Sequence, residues 1–273
     1  MLLLKLLLVP AFLALVTLAG RRWGPGVAGW LAGLPVVAGP ILFFLAIEHG
    51  TVFGARAAAA SLSAVLAAIA FSVTYARACR RFGWPVALAS ALSAWFVAAF
   101  MLAQLPESLM LSAVLAGAAL LAAPRLLPQG PAVLAARAAP AWELWLRMGA
   151  GAALTLAVTG LATGIGPAWS GLFSVFPVLS FVLAVFSQRM HGSGFVIALL
   201  RAMATGMWSF AAFCLALALA LQILGVGPAF GVSVLATLAV QWLTRRAHSG
   251  SGVPRAPPAS QAPGGDSAGG PQR

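Results

Sequence analysis

The feature that most constrains this chain is a succession of apolar runs, each close to the roughly 20 residues that an α-helix needs to cross the ~30 Å hydrocarbon core of a bilayer. They recur from the first residues to about position 244. Only 7% of the 273 residues are charged and 62% are hydrophobic, against about a quarter charged in a soluble domain. Water is therefore not the main solvent. A transmembrane β-barrel is written in short, alternating segments, and none is present, so the fold class is all-α: a polytopic transmembrane helical bundle. The runs predict about nine helices, over 2–20, 26–48, 54–77, 84–105, 108–124, 143–163, 168–189, 196–224 and 228–244.

The net charge of +12 comes from 16 Lys and Arg against Glu48, Glu107, Glu143 and Asp266. The arginines stand in small groups at the ends of apolar runs, not in one basic stripe with interleaved aromatics, which argues against nucleic acid. Arg21/Arg22, Arg77/Arg80/Arg81, Arg125/Arg137, Arg189 and Arg245/Arg246 all fall on one side of the predicted bundle. By the positive-inside rule that side is cytoplasmic, with the N-terminus periplasmic and the C-terminus cytoplasmic. The opening segment resembles a secretory signal, but Arg21 and Arg22 follow it without a small-x-small cleavage site, so retention as a membrane span is expected. Cys79 and Cys214 are isolated in apolar surroundings and are read as packing residues. Residues 247–273, rich in Gly, Pro and Ser, are expected to form a disordered cytoplasmic tail.

Compared with itself at a spacing of 142 residues, the chain matches without gaps through its first two helices. Gly24-Pro25 recurs as Gly166-Pro167, Gly29 as Gly171, Pro35-Val36 as Pro177-Val178, His49-Gly50 as His191-Gly192 and Phe53 as Phe195, while Lys5 falls opposite Arg147. Apolar low complexity does not align Gly-Pro, Pro and His-Gly in one register. The organisation expected is a first four-helix repeat over 1–105, a linking helix and cytoplasmic connector over 106–142, and a second four-helix repeat over 143–246. One linking helix between repeats of four makes the second copy enter the membrane inverted. The basic bias inverts with it: Arg21 and Arg22 follow the first helix and no basic residue follows the sixth, whereas Arg189 ends the seventh. Inverted repeats are a recurring architecture of secondary transporters.

Residues 171–209 resemble the GlpM-like family of small bacterial inner-membrane proteins through Gly171, Pro177, Arg201 and the Gly-Met-Trp-Ser at 206–209. The first half keeps Gly29 and Pro35, and Arg56 corresponds to Arg201 if a small insertion is allowed. The resemblance implies a bacterial inner-membrane location and an association with alginate-type polysaccharide production, and it treats this chain as a fused, inverted pair of such proteins.

The candidate solute contacts are Pro35 and Pro177, which break helices near mid-depth and free backbone groups there; Arg56, Arg201, Trp208 and Ser209; and the paired cations Lys5 and Arg147. Snorkelling to the interface is an adequate account of Arg147, and an ordinary packing kink is the plain account of each proline. Glu48, His49 and His191 form a candidate gate or interfacial set, with Glu48 the only acid placed near a membrane core. No carboxylate pair, metal cluster, nucleophile elbow or phosphate loop is legible, so neither an enzyme nor a cofactor or metal is expected. Two functions remain open: a small-solute or ion transporter, and a non-transporting scaffold or accessory subunit of envelope polysaccharide production. The partners expected are the lipid bilayer, with a homo-oligomer or an envelope-assembly protein open.

Overall fold

The computed structural model describes residues 2–130, 141–164 and 177–249, and every regular element among them is an α-helix. In chain order these are α1 (Leu2–Trp23), α2 (Pro25–Ala32), α3 (Ala38–His49), α4 (Thr51–Ala78), α5 (Trp84–Ala103), α6 (Leu109–Leu126), α7 (Ala141–Gly164), α8 (Val178–Ala220) and α9 (Val226–Ser249). Six of them, α1, α4, α5, α6, α8 and α9, are long and apolar enough to cross a membrane.

Local chemistry sets the helix ends. Pro25 and Pro85 occupy first-turn positions of α2 and α5, where a missing N–H costs nothing. Ser108 caps α6 by accepting a hydrogen bond from the Leu111 N–H at 3.4 Å. Gly24 and Gly50, at φ 84° and 88°, let the chain reverse between consecutive helices. The run expected as one helix over 26–48 is two, α2 and α3, because Pro35 sits in an irregular stretch at 33–37.

Helix α8 holds 43 residues, which at ~1.5 Å rise would be about 65 Å long, twice the hydrocarbon thickness. It is not one straight rod. Gly192, at φ 83° and ψ 179°, breaks it into two arms, 178–191 and 193–220. The expected helix over 168–189 is described from Val178 onward, and 165–176, with Gly166, Pro167, Ser170, Gly171 and Ser174, lie outside the described residues, as do most of the connector and the tail from 250. Residues 247–249 belong to α9 rather than to the tail.

The core has two parts. One is built of α4, α5, α6 and the second arm of α8 around Trp95, Phe71, Tyr75, Phe213 and Leu217, all at most 2% exposed. On α5 the buried residues Ala87, Ala91, Trp95 and Ala99 recur every four positions, a single helical stripe. The other gathers Val9, Phe12, Leu13 and Val16 of α1 with Ala28 and Ala32 of α2 and Val182, Leu183, Leu199 and Met203 of α8, and Leu154 of α7 packs against it. Outside these stripes large apolar side chains face outward, among them Leu15, Phe44, Val97, Phe100, Met110, Leu121, Leu235 and Leu238. So much exposed hydrocarbon fits lipid, not water. Several hydroxyls within the helices are satisfied locally: Ser72, Thr155, Ser233 and Thr237 each donate to the carbonyl four residues earlier.

Candidate functional site

Helix α2 crosses the second arm of α8 at backbone contact. A methyl group on Gly29 would meet the Leu199 carbonyl, and one on Gly33 would meet the backbone of Gly206. Small residues four apart are the usual means of bringing membrane helices this close. Beside the crossing lies a cavity of about 1150 Å³, bordered by Trp23, Trp30, Leu120, Leu127, Arg201, Thr205 and Trp208. From Ala198 to Trp208 it follows α8 for about 15 Å, roughly half the hydrocarbon thickness. Its wall is mostly apolar. Arg201 supplies the charge, Thr205 and Gln129 supply polar groups, and the Trp30 indole N–H is turned to Thr244 of α9 at 3.3 Å.

Arg201 does two things at this wall. Its Nη1 donates to the Leu127 carbonyl at 2.6 Å and to the Pro124 and Pro128 carbonyls at 3.4 Å. These groups end α6, where helix carbonyls lack intrahelical donors and the helix dipole favours a cation. The guanidinium thus caps α6 and borders the cavity together. Thr205 donates to the Arg201 carbonyl, and Ser209 is wholly buried with its hydroxyl on the Gly206 carbonyl. Of the expected solute contacts, Arg201 and Trp208 share this cavity. Arg56, exposed near the start of α4, does not border it, nor do Pro35, Pro177, Ser209 and Arg147.

Pro35 and Pro177 hold matching positions. The Gly39 N–H donates to the Pro35 carbonyl at 2.7 Å and the Phe181 N–H to the Pro177 carbonyl at 2.9 Å, so each proline carbonyl accepts a first-turn hydrogen bond of the helix that follows, α3 or the first arm of α8. Their neighbours Val37 and Val178 pack against the same apolar cluster. With the helix ends 51–78 and 193–220 also in register, Arg56 falls opposite Ala198 and Arg201 opposite Ala59, not opposite each other.

A second site lies where the last turn of α1, the first turns of α7 and the end of the first arm of α8 meet. Glu143 is 0% exposed; it pairs with Arg147 one turn on, itself 4% exposed, and with Arg21 of α1 at 3.3 Å. The Arg147 guanidinium also lies over the Phe186 ring, 5.7 Å from its centroid. Two expectations are corrected here. Arg147 does not snorkel to the interface, because α1 packs along α7 and covers it. Nor is Glu48 the acid of the core: it is half exposed, 4.0 Å from its neighbour His49, while Glu143 is the enclosed one. The Glu143–Arg147 spacing of four was visible in the sequence; that α1 would close over it was not. Lys5 stands in the first turns of α1, with its side chain outside what the structure describes.

His49 and His191 lie at helix ends against Phe53 and Phe195, with ring centroids 4.9 and 4.4 Å apart. No group of three metal-binding side chains occurs among the described residues. At the same end as the charged site, Tyr75 donates to Gln188 at 2.8 Å, Gln188 donates to the Phe82 carbonyl at 3.2 Å, and Arg189 lies over Trp84. These contacts tie the end of α4 to the first arm of α8.

The fold and these sites define a helical membrane protein with a cavity beside the α2–α8 crossing and a separate enclosed charge cluster. In comparisons with known proteins, no family model, no curated protein and no solved structure matches the chain.

Proposed function

We propose that the chain is a transporter of a small anionic or amphipathic solute in the bacterial inner membrane, built from two inverted repeats. The observation that carries this reading is the cavity: about 1150 Å³, within the range of small-molecule sites, apolar over most of its wall and bearing the Arg201 cation, Thr205 and the Trp208 and Trp30 rings. Such a wall suits an anion with an apolar body. The repeat reading draws support from the equivalent backbone at Gly50 and Gly192, from the equivalent hydrogen bonds at Pro35 and Pro177, and from helix ends in register over both halves. With the basic loops placed in the cytoplasm, the cavity faces that side. The kinship with GlpM-like proteins belongs to the same proposal.

A specific observation favours the rival reading, a non-transporting accessory subunit of envelope polysaccharide assembly. The larger core is solid Ala, Leu and Phe, and Pro35, Pro177 and Arg56 do not converge on the cavity.

Single cysteines at Ala198, Thr205 and Val27, in a background lacking Cys79 and Cys214, separate the two. On the transport reading, a membrane-impermeant thiol reagent labels all three from one face, and labelling is slowed by a substrate-like amphipathic anion. Inert cavity positions beside normally labelled loop controls would sink transport and leave the assembly subunit, to be recovered with its partner on purification.

A further inference from the structure

The charged site holds more polar groups than its ion pairs use. Thr17 Oγ1, Ser187 Oγ, Arg147 Nε and His191 Nδ1 are all shielded from solvent and have no hydrogen-bond partner among the described residues. Thr17, Arg147 and Ser187 are 6%, 4% and 0% exposed. They come from three helices and border one pocket of about 20 Å³, closed by Val16, Gly20, Leu183 and Leu199. That is room for a single particle of about the size of water. Unpartnered polar groups in so apolar a setting are costly, and here four of them belong to residues that border the same small space.

We infer that this pocket binds one small monovalent anion, with chloride as the fitting species. Its border carries two hydroxyls, which can donate, and the Arg147 Nε–H, and the charged groups around it are two guanidiniums, Arg21 and Arg147, against one carboxylate, Glu143, a net positive setting. The one carboxylate, Glu143, is already engaged by Arg21 and Arg147. Water finds acceptors here too, in the hydroxyl oxygens, His191 Nδ1 and the Glu143 carboxylate, but it leaves the excess of one positive charge unbalanced; a monovalent anion balances it. Size excludes phosphate, carboxylates and lipid headgroups. Across the 142-residue register, Glu143 falls opposite Met1, Arg147 opposite Lys5 and Ser187 opposite Leu45, so the pocket belongs to one end of the molecule. It is separate from the large cavity, and its occupancy is read without any transport assay.

The test uses the purified full chain in detergent, in a gluconate buffer free of halide. Radiolabelled chloride in equilibrium dialysis should fill one saturable site, and the melting temperature should rise to a plateau with chloride or bromide but not with more gluconate. Ser187→Ala and Thr17→Val keep every charge and should each weaken binding about tenfold, the equivalent of ~1.4 kcal/mol. Ser72→Ala, buried elsewhere and bonded to its own helix, should bind as the parent does. Absence of saturable chloride binding by the folded parent overturns the inference, as does unchanged binding in both pocket variants or an equal response to gluconate.

Discussion

Gly50 and Gly192, 142 positions apart, hold the same backbone, φ 88° and ψ 168° in one and φ 83° and ψ 179° in the other. Each follows a histidine and starts a 28-residue helical segment, 51–78 or 193–220. This region of backbone space is essentially reserved for glycine. Gly50→Ala and Gly192→Ala should therefore each lose ~1–3 kcal/mol, seen as a lower melting temperature in detergent. Gly149→Ala, helical and facing open space, should be neutral or gain up to ~1 kcal/mol.

Gly33 and Gly206 touch backbone to backbone where α2 crosses α8. A methyl group at either must push the helices apart. Gly33→Ala and Gly206→Ala should each cost about 1–3 kcal/mol through overpacking, and the double variant should cost less than their sum because one separation serves both. Gly231→Ala, with nothing near its Cβ, is the matched control. Size-exclusion profiles after graded heating give the order directly.

The helices were legible in the sequence because bilayer thickness fixes their length and proline, glycine and arginine mark their ends. The break at Pro35 followed from the same chemistry, although its consequence, two helices in place of one, lies in the irregular backbone over 33–37. The Arg201 wall was reached in part: the residue stood among the candidate solute contacts, but its role at the end of α6 depends on contacts some 74 residues away along the chain. Glu143 was missed. Hydropathy ranks an acid near a helix start as interfacial, and only the packing of α1 on α7 turns it into an enclosed partner for two arginines.

That enclosure predicts an unequal pair. Glu143→Gln strands two guanidiniums, one of them 4% exposed, and should cost ~3–5 kcal/mol. Arg147→Met leaves Glu143 with Arg21 still beside it and should cost less. The combined Glu143→Gln/Arg147→Met variant should be less destabilised than the two single losses added together, since no unpaired charge from that pair remains. Thermal unfolding of the four proteins completes the cycle.

Cys79, at the end of α4, is buried with its Sγ 3.4 Å from the Ala76 carbonyl. Burial pushes its thiol up to about 11 from 9.0. The thiolate is the reactive form, so the folded protein should resist alkylation at pH 8, and the rate should climb only as pH approaches 11. The linkage has a definite sign: a raised value holds stability below the unfolded value and loses it as pH rises from 9 through 11. Cys214 is wholly buried in α8, so at pH 8 labelling of both thiols should require unfolding in SDS.

Arg201 joins stability to the proposed solute path, and the two can be separated. Arg201→Met removes the donor from the Leu127 carbonyl and should cost ~1.5–3 kcal/mol, the range for hydrogen bonds to a charged group. Arg201→Lys keeps a cation near the end of α6 and should recover most of that loss, since the dipole term needs only charge. It does not reproduce the planar guanidinium, which can face the α6 carbonyls and the cavity at once. If the cavity takes an anion, Arg201→Lys should therefore fold nearly as the parent does, yet show a raised KM for uptake into proteoliposomes. Equal uptake by the parent and the lysine variant, at equal stability, would confine Arg201 to capping α6 and move the solute contact to Trp208 and Thr205.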